Sequence, residues 1–349
     1  MTIHAPLTGR AGGYSDVIAT AKRELEKLNF NPPEVNLLLT VPQDNVNALV
    51  HFTMWETTRL LPLQVGILNT RRLVIVPNSQ DAQDFAESGV TAPIKVCPLY
   101  CTGHFVPFPA IRPFRFVHIG SEYGIPSRKR QHEIVAAFRA AFPVEPDVEL
   151  VIKRDKSCSK IANFDSRITI IDDQLKTAEL HALYANCHVG IFPGGMESWG
   201  LPIAELAATG RASITPLYRG TAEFLDDNSS LPLKYHMVRA PKEAFCQSGE
   251  VAEVPFDGII HAMRFAYYNP LEVYRRGLAA YAKAQWFTPA RFGAKLADIL
   301  NDYACESGNY VVGCGKADWR GGVVVPASLA TNLAEVRDAI ASSLNVQPN

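Results

Sequence analysis

Apolar and polar positions along this chain alternate between two periods. Short runs of β-formers read as buried strands over 2–7, 35–41, 47–53, 73–77 and 94–98. Between them, the 3.6-residue recurrence of apolar positions predicts helices over 14–29, 57–67 and 79–88. A second set follows, with strands at 115–119, 148–153, 168–171, 188–192 and 211–215, and helices at 130–142, 176–186 and 201–209. Strands that alternate with helices in this way argue for α/β layers built on mostly parallel sheets. Residues 104–115 (HFVPFPAIRPFR) carry three prolines, which disfavour continuous regular structure and mark a linker between the two sets. Residues 269–303 hold two further helical patterns joined around FTPARF. Beyond residue 304, YVVGC and VVV suggest strands and LATNLAEVRDAIASSL an amphipathic helix.

Composition sets bounds but names no chemistry. At 349 residues the chain is long enough for two domains. With 47% hydrophobic and 20% charged residues it has the make-up of an ordinary globular protein. A net charge of −1 gives no global pull toward nucleic acid or an anionic membrane. No apolar run approaches the roughly 20 residues of a membrane span. The N-terminus lacks a basic segment followed by an apolar one, so it does not read as a signal peptide. Seven cysteines without a zinc-type spacing read as free thiols, and a cytoplasmic location is expected.

The candidate chemistry is concentrated in residues 192–210 (FPGGMESWGLPIAELAATG). A strand, HVGIFP, runs into Gly194-Gly195, where the backbone can turn sharply and approach a ligand. Pro202 suits the first turn of a helix and Gly210 its C-terminal cap. A helix start facing a strand end is a ready anion site. Glu197 and Glu205, with seven residues between them, are suited to sugar hydroxyls, each carboxylate accepting two hydrogen bonds. A phosphate cradle flanked by two such carboxylates describes a nucleotide-sugar site.

With Glu197-Ser198-Trp199-Gly200-Leu201-Pro202 followed by Glu205, the chain resembles the family 4 retaining glycosyltransferases. These have the GT-B fold, two Rossmann-like domains facing across a cleft. Ser198 departs from the family's usual Gly. The resemblance implies that Glu197 binds hydroxyls of the transferred sugar and Glu205 the ribose, with Ser198, Trp199, Gly200 and Leu201 completing the donor site. It also places Arg128-Lys129 where the family has a phosphate-binding pair, with Arg130 in the place of a usual Gly. A cation pair there would neutralise a leaving diphosphate. Lys153, at the end of VELVIK, is a third candidate cation. Gly12 and Gly13, between the first strand and helix, are expected near the donor phosphates and the acceptor. His51 is a candidate contact for the transferred sugar, completing a catalytic set with Glu197, Arg128 and Lys129. Trp55 and Glu56 suit either an acceptor contact or a structural role. Glu223 matches a family Gly-x-x-Glu element expected to serve structure.

The resemblance implies three segments. Residues 1–108 form an acceptor-side domain, 109–285 a nucleotide-sugar domain, and 286–349 helices and a tail that brace the first. It implies a hexose, glucose first, moved from a nucleoside diphosphate sugar, UDP-linked first, to an acceptor hydroxyl with retention. No Asp-x-Asp motif lies near the phosphate site, so neither a cofactor nor a metal is expected. The acceptor stays open among carbohydrate, lipid-linked, protein and modified DNA base, and so does homo-oligomerisation. Two other readings stand beside this one. In the first, the acceptor is a hydroxymethylated base in DNA, with Arg10, Arg59, Arg71 and Arg72 meeting phosphates. In the second, the chain is a non-catalytic sugar-nucleotide-binding subunit.

Overall fold

The structure is a computed structural model describing residues 2–4, 12–30, 36–40, 48–110, 112–122, 128–156, 158–162, 164–241 and 248–306. The first sheet has five parallel strands in the order β1-β2-β3-β4-β5. Its elements are β1 (Thr2–His4), α1 (Gly12–Lys27), β2 (Asn36–Leu39), β3 (Val50–Phe52), α2 (Pro62–Asn69), β4 (Leu73–Val76), α3 (Ser79–Glu87) and β5 (Ile94–Val96). β4 is the four-residue run LVIV, buried at every position, as a strand covered on both faces must be. α2 begins at Pro62 rather than at 57. Proline is well suited to the first helical position, and the Gln64 side chain accepts from the Leu61 backbone N–H at 2.7 Å.

The second sheet is built from β6 (Phe114–Ile119), α4 (Gln131–Ala141), β7 (Val148–Lys153), β8 (Ile168–Ile171), α5 (Thr177–Ala185), β9 (Val189–Ile191), α6 (Leu201–Ala208), β10 (Ala212–Thr215), α7 (Gly220–Phe224) and β11 (Leu231–Pro232). Its order is β11-β10-β9-β6-β7-β8. The chain enters at the centre with β6, winds outward through β7 and β8, then returns to β6's other side and winds outward through β9 to β11. That is the doubly wound order, and its reversal lies between β6 and β9. Ligands of such sheets bind beyond the strand C-termini at that reversal. Here those termini lead into the Arg128-Lys129 loop and into the Gly194–Glu197 loop.

A two-stranded antiparallel ribbon, β12 (His236–Arg239) with β13 (Glu250–Glu253), follows, and then α8 (Phe256–Tyr268), α9 (Pro270–Ala284) and α10 (Pro289–Glu306). α10 returns to the first sheet. Phe292, Leu296 and Leu300 share one core with Val17, Ile18, Ala21 and Leu25 of α1. Gly293 permits this approach, since a Cβ there would run into Glu24. A second core holds Phe114, Phe116, Phe138 and Phe142 between the second sheet, α4 and α8. Cys97, Cys101, Cys158 and Cys187 are buried free thiols. Among the described residues no helix is long and apolar enough to cross a membrane. The strands and helix expected in the tail lie outside the described residues.

Candidate functional site

The loop between β9 and α6 and the loop between β6 and α4 meet at the reversal. Gly194 is what allows it: a Cβ there would stand 2.7 Å from the Arg128 carbonyl oxygen. Gly195 is crowded by the Ala252 backbone of β13, so its close neighbour is protein rather than a ligand. Gly200 caps α6 with φ of 85°, the left-handed conformation that glycine adopts without strain. Arg130 takes the same conformation at the start of α4 (φ 53°), one that glycine adopts more easily. Its guanidinium is bound to Glu133 and to the Val254 carbonyl at 2.7 Å.

The two candidate phosphate cations stand on this junction, and both are paired. Lys129 meets the Glu197 carboxylate. Burial works against the lysine charge and pulls its pKa well below the usual value, with Arg128 adding to the effect. The Glu56 carboxylate opposes this. Arg128 makes a two-pronged pair with Glu56, which follows β3 of the first sheet. Its Nε donates to Oε2 at 2.6 Å, and its Nη2 to Oε1. Lys153 ends β7 in register with Ile119 of β6, and its carbonyl accepts from Gly120 N–H at 3.1 Å. Among the described residues its ammonium makes no ion pair.

Glu205 lies on α6, and the Tyr184 hydroxyl donates to its Oε2 at 2.6 Å. Burial raises its carboxyl to about 7. Tyr184 and Thr102 oppose the rise, and Asp16 of α1 adds to it. Gly12 and Gly13 are the first residues of that helix, one turn before Asp16. Asp16 therefore lies within electrostatic reach of Glu205 on α6. A carboxyl raised this far binds protons more readily folded than unfolded, so its share of stability is largest below the unfolded value of 4.5 and is lost as pH rises toward about 7. Ligand hydroxyls donating to the carboxylate favour its ionised form. A ligand that has no ionisation of its own near neutrality and donates hydroxyls to this carboxylate should therefore bind more tightly as pH rises through about 7. A calorimetric pH series should show this for wild type, while Glu205→Gln should bind more weakly and with no such rise.

Three expected site side chains point elsewhere. His51 is fully buried on β3, with Nε2 on the Thr40 carbonyl at 3.1 Å. Desolvation, with Arg71 adding to it, lowers its pKa to about 3. A neutral imidazole without solvent exposure offers nothing to a sugar. Trp199 is 2% exposed, packed on Phe224 and Phe287. Ser198 is equally buried and donates to Asp81 of α3. Ser198 and Trp199 thus tie the β9–α6 loop to the first sheet's half, through Asp81 and the Tyr100 carbonyl. Gly200 and Leu201 remain at the α6 start, with Leu201 half-buried against the first core. Trp55 is likewise core, its indole N–H donating to Thr57 and to the Arg59 carbonyl.

Pairing across the two sheets is the feature the sequence hides most completely. Arg219, just before α7, is fully buried and bound to both Asp81 and Asp84 of α3. Asn78 Nδ2 donates to the Ser198 carbonyl at 2.7 Å, and its Oδ1 caps α3 by accepting from Asp81 N–H at 2.7 Å. Glu223 accepts from the Ser79 backbone N–H at 2.7 Å, the structural service expected of it. His118, on β6, binds the Ile191 carbonyl of β9 through Nδ1 at 2.8 Å, joining the two strands at the reversal. Of the arginines weighed for DNA, Arg72 is exposed. Arg71 is buried on the Ala48 carbonyl, Arg59 pairs with Glu87, and Arg10 lies outside the described residues.

No family model matches the chain, and no curated protein matches it. Solved structures do. A sucrose-phosphate synthase from Thermosynechococcus elongatus superposes with a TM-score of 0.59 at 15% identity, over 86% of this chain and 82% of that one. TarM gives 0.59 at 13% identity, over 82% and 58%. A UDP-forming α,α-trehalose-phosphate synthase from Burkholderia xenovorans, in complex with glucose-6-phosphate, gives 0.55 at 11%, over 82% and 78%. At these identities the likeness establishes the fold: two Rossmann-like α/β domains with parallel sheets, the GT-B architecture.

Proposed function

We propose that the protein is a retaining glycosyltransferase of the family 4 type, moving glucose or a close hexose from a UDP-linked donor to an acceptor hydroxyl. The observation that carries this reading is the meeting of Arg128, Lys129 and Glu197 at the sheet reversal, with Glu205 on the adjoining helix. Fold alone would not support it, since one fold hosts many chemistries. A cation pair at that crevice fits a diphosphate, and the two carboxylates fit hydroxyls of sugar and ribose.

The reaction breaks the bond between the sugar's anomeric carbon and the diphosphate oxygen, and forms one to the acceptor oxygen on the same face. The acceptor's proton passes to the departing diphosphate. Arg128 and Lys129 stabilise the charge that grows there, and Glu197 holds the sugar. Lys153 supports the phosphate end, and Gly12 and Gly13 bring α1 to the cleft edge. The charge neutralisation falls to side chains, so EDTA should leave transfer nearly unchanged. Loss of activity restored by Mg²⁺ would reassign it to a metal. The cytoplasm is the proposed compartment, in keeping with free thiols at Cys97, Cys101, Cys158 and Cys187.

The test is a thermal-shift screen of nucleotide sugars, followed by acceptors offered with the best donor. Transfer from an α-linked donor should give an α-linked product by NMR. A β-linked product would overturn retention, and failure of every nucleotide sugar to bind would overturn the whole reading.

A further inference from the structure

The cation that the donor diphosphate needs is already held by a carboxylate from the opposite wall of the cleft. Arg128 gives two donors to Glu56, and its Nη1 reaches the Ser121 carbonyl at 3.2 Å. The Arg128 and Glu56 side chains are only 10% and 12% exposed. Their attraction is therefore weakly screened, and removing either charge leaves the other uncompensated. Glu56 belongs to the first sheet's half, in the segment that also carries Trp55 and follows β3. Lys129, by contrast, is paired within its own half, with Glu197. A diphosphate and a carboxylate cannot share one guanidinium fork, because both are anions seeking the same donors.

We propose that Glu56 is a built-in competitor of the donor diphosphate. In the donor-free protein it holds the Arg128 fork. Donor binding transfers Arg128 to the diphosphate and releases the Glu56 carboxylate on the first domain's side of the cleft, where it can accept a hydrogen bond from the acceptor hydroxyl. This inference rests on the nucleotide-sugar reading above and adds an order to it: donor first, acceptor second. It also gives the ion pair a role besides stability, as the contact a diphosphate replaces.

The consequence has an unusual sign. Glu56→Gln removes a charge from the candidate site and should tighten the nucleotide. UDP should bind about tenfold more strongly by calorimetry, equivalent to about 1.4 kcal/mol. Uridine, which lacks phosphates, should bind the variant and wild type alike. Glu56→Asp, which keeps the competing charge, should stay close to wild type. In an Arg128→Ala background the Glu56→Gln gain should vanish. The acceptor KM of Glu56→Gln should rise, a change that a purely structural ion pair would not produce alongside tighter UDP. Equal or weaker UDP binding in Glu56→Gln, with wild type binding UDP normally, would overturn the proposal. If wild type binds no UDP, the nucleotide reading fails instead, and inorganic pyrophosphate then decides the competition. Tighter pyrophosphate in Glu56→Gln supports it, and no change sinks it.

Discussion

Arg219→Ala is expected to cost about 3–5 kcal/mol of stability, as removal of one partner from a buried ion network does. It should lower Tm by about 4–7 °C at this chain length. The guanidinium has no exposure and serves two carboxylates, Asp81 with none and Asp84 with 6%. Without it, both face the interior uncompensated. Burial already raises Asp81 to about 6 against Arg219's opposing pull, and Asp84 is raised as well. A raised carboxyl stabilises the folded state most below its unfolded value, and the benefit is lost as pH climbs to the folded value. Losing Arg219 pushes the folded values further up, so the damage should be smaller near pH 5 than near pH 8. Adding Asp81→Asn should recover part of it. Melting curves at the two pH values check this, and an equal loss at both would show that the carboxylates are not the cause. Turnover should fall too at permissive temperature. Asp81 also accepts from Ser198, and Ser198 is the residue after Glu197.

Much of the architecture was legible because buried parallel strands announce themselves. LVIV is a continuous apolar run, as a strand covered on both faces requires, and VELVIK buries its four apolar positions while Glu149 and Lys153 stay half-exposed. Gly194, in the loop the motif singled out, marks where two loops meet, since only glycine tolerates the Arg128 backbone there. What a motif does not carry is which way a side chain faces. Trp199 and Ser198 stand inside the donor motif, yet both are buried toward the other domain. His51 was expected at a strand end, but it is the middle residue of a three-residue strand buried throughout, which leaves its ring on Thr40. The Arg219 network joins residues 135 and 138 positions apart, a pairing no local period encodes. α8 was passed over because Gly258 and its aromatic residues blur the helical pattern of FDGIIHAMRFAYY, although four of its side chains are core. The domain limits of 1–108, 109–285 and 286–349 remain a proposal. The return of α10 onto α1 is the contact that recommends the third segment.

Arg128→Ala and Lys129→Ala should each depress turnover by about 2–4 kcal/mol, roughly thirty- to a thousandfold. In same-face substitution the diphosphate is both the leaving group and the proton acceptor. The charge that develops on it is therefore the quantity the site must stabilise, and fixed cations in a shielded crevice do this without reorganising. Lys129 is 9% exposed and its charge is disfavoured by burial, so it gains most from an arriving anion. Arg128 must first leave Glu56, so its removal should affect donor affinity less than turnover. Acceptor KM should change less than kcat in both variants, because the interaction strengthens only as the sugar bond breaks. Arg130→Ala is the control. Its guanidinium is committed to Glu133 and the Val254 carbonyl, so it should lose stability without a comparable loss of turnover. Single-turnover rates with saturating donor, beside circular dichroism to confirm folding, measure the chemical step directly. A folded Arg128→Ala, Lys129→Ala double variant that turns over like wild type would remove the pair from the reaction, and the diphosphate cradle would have to be sought at Lys153.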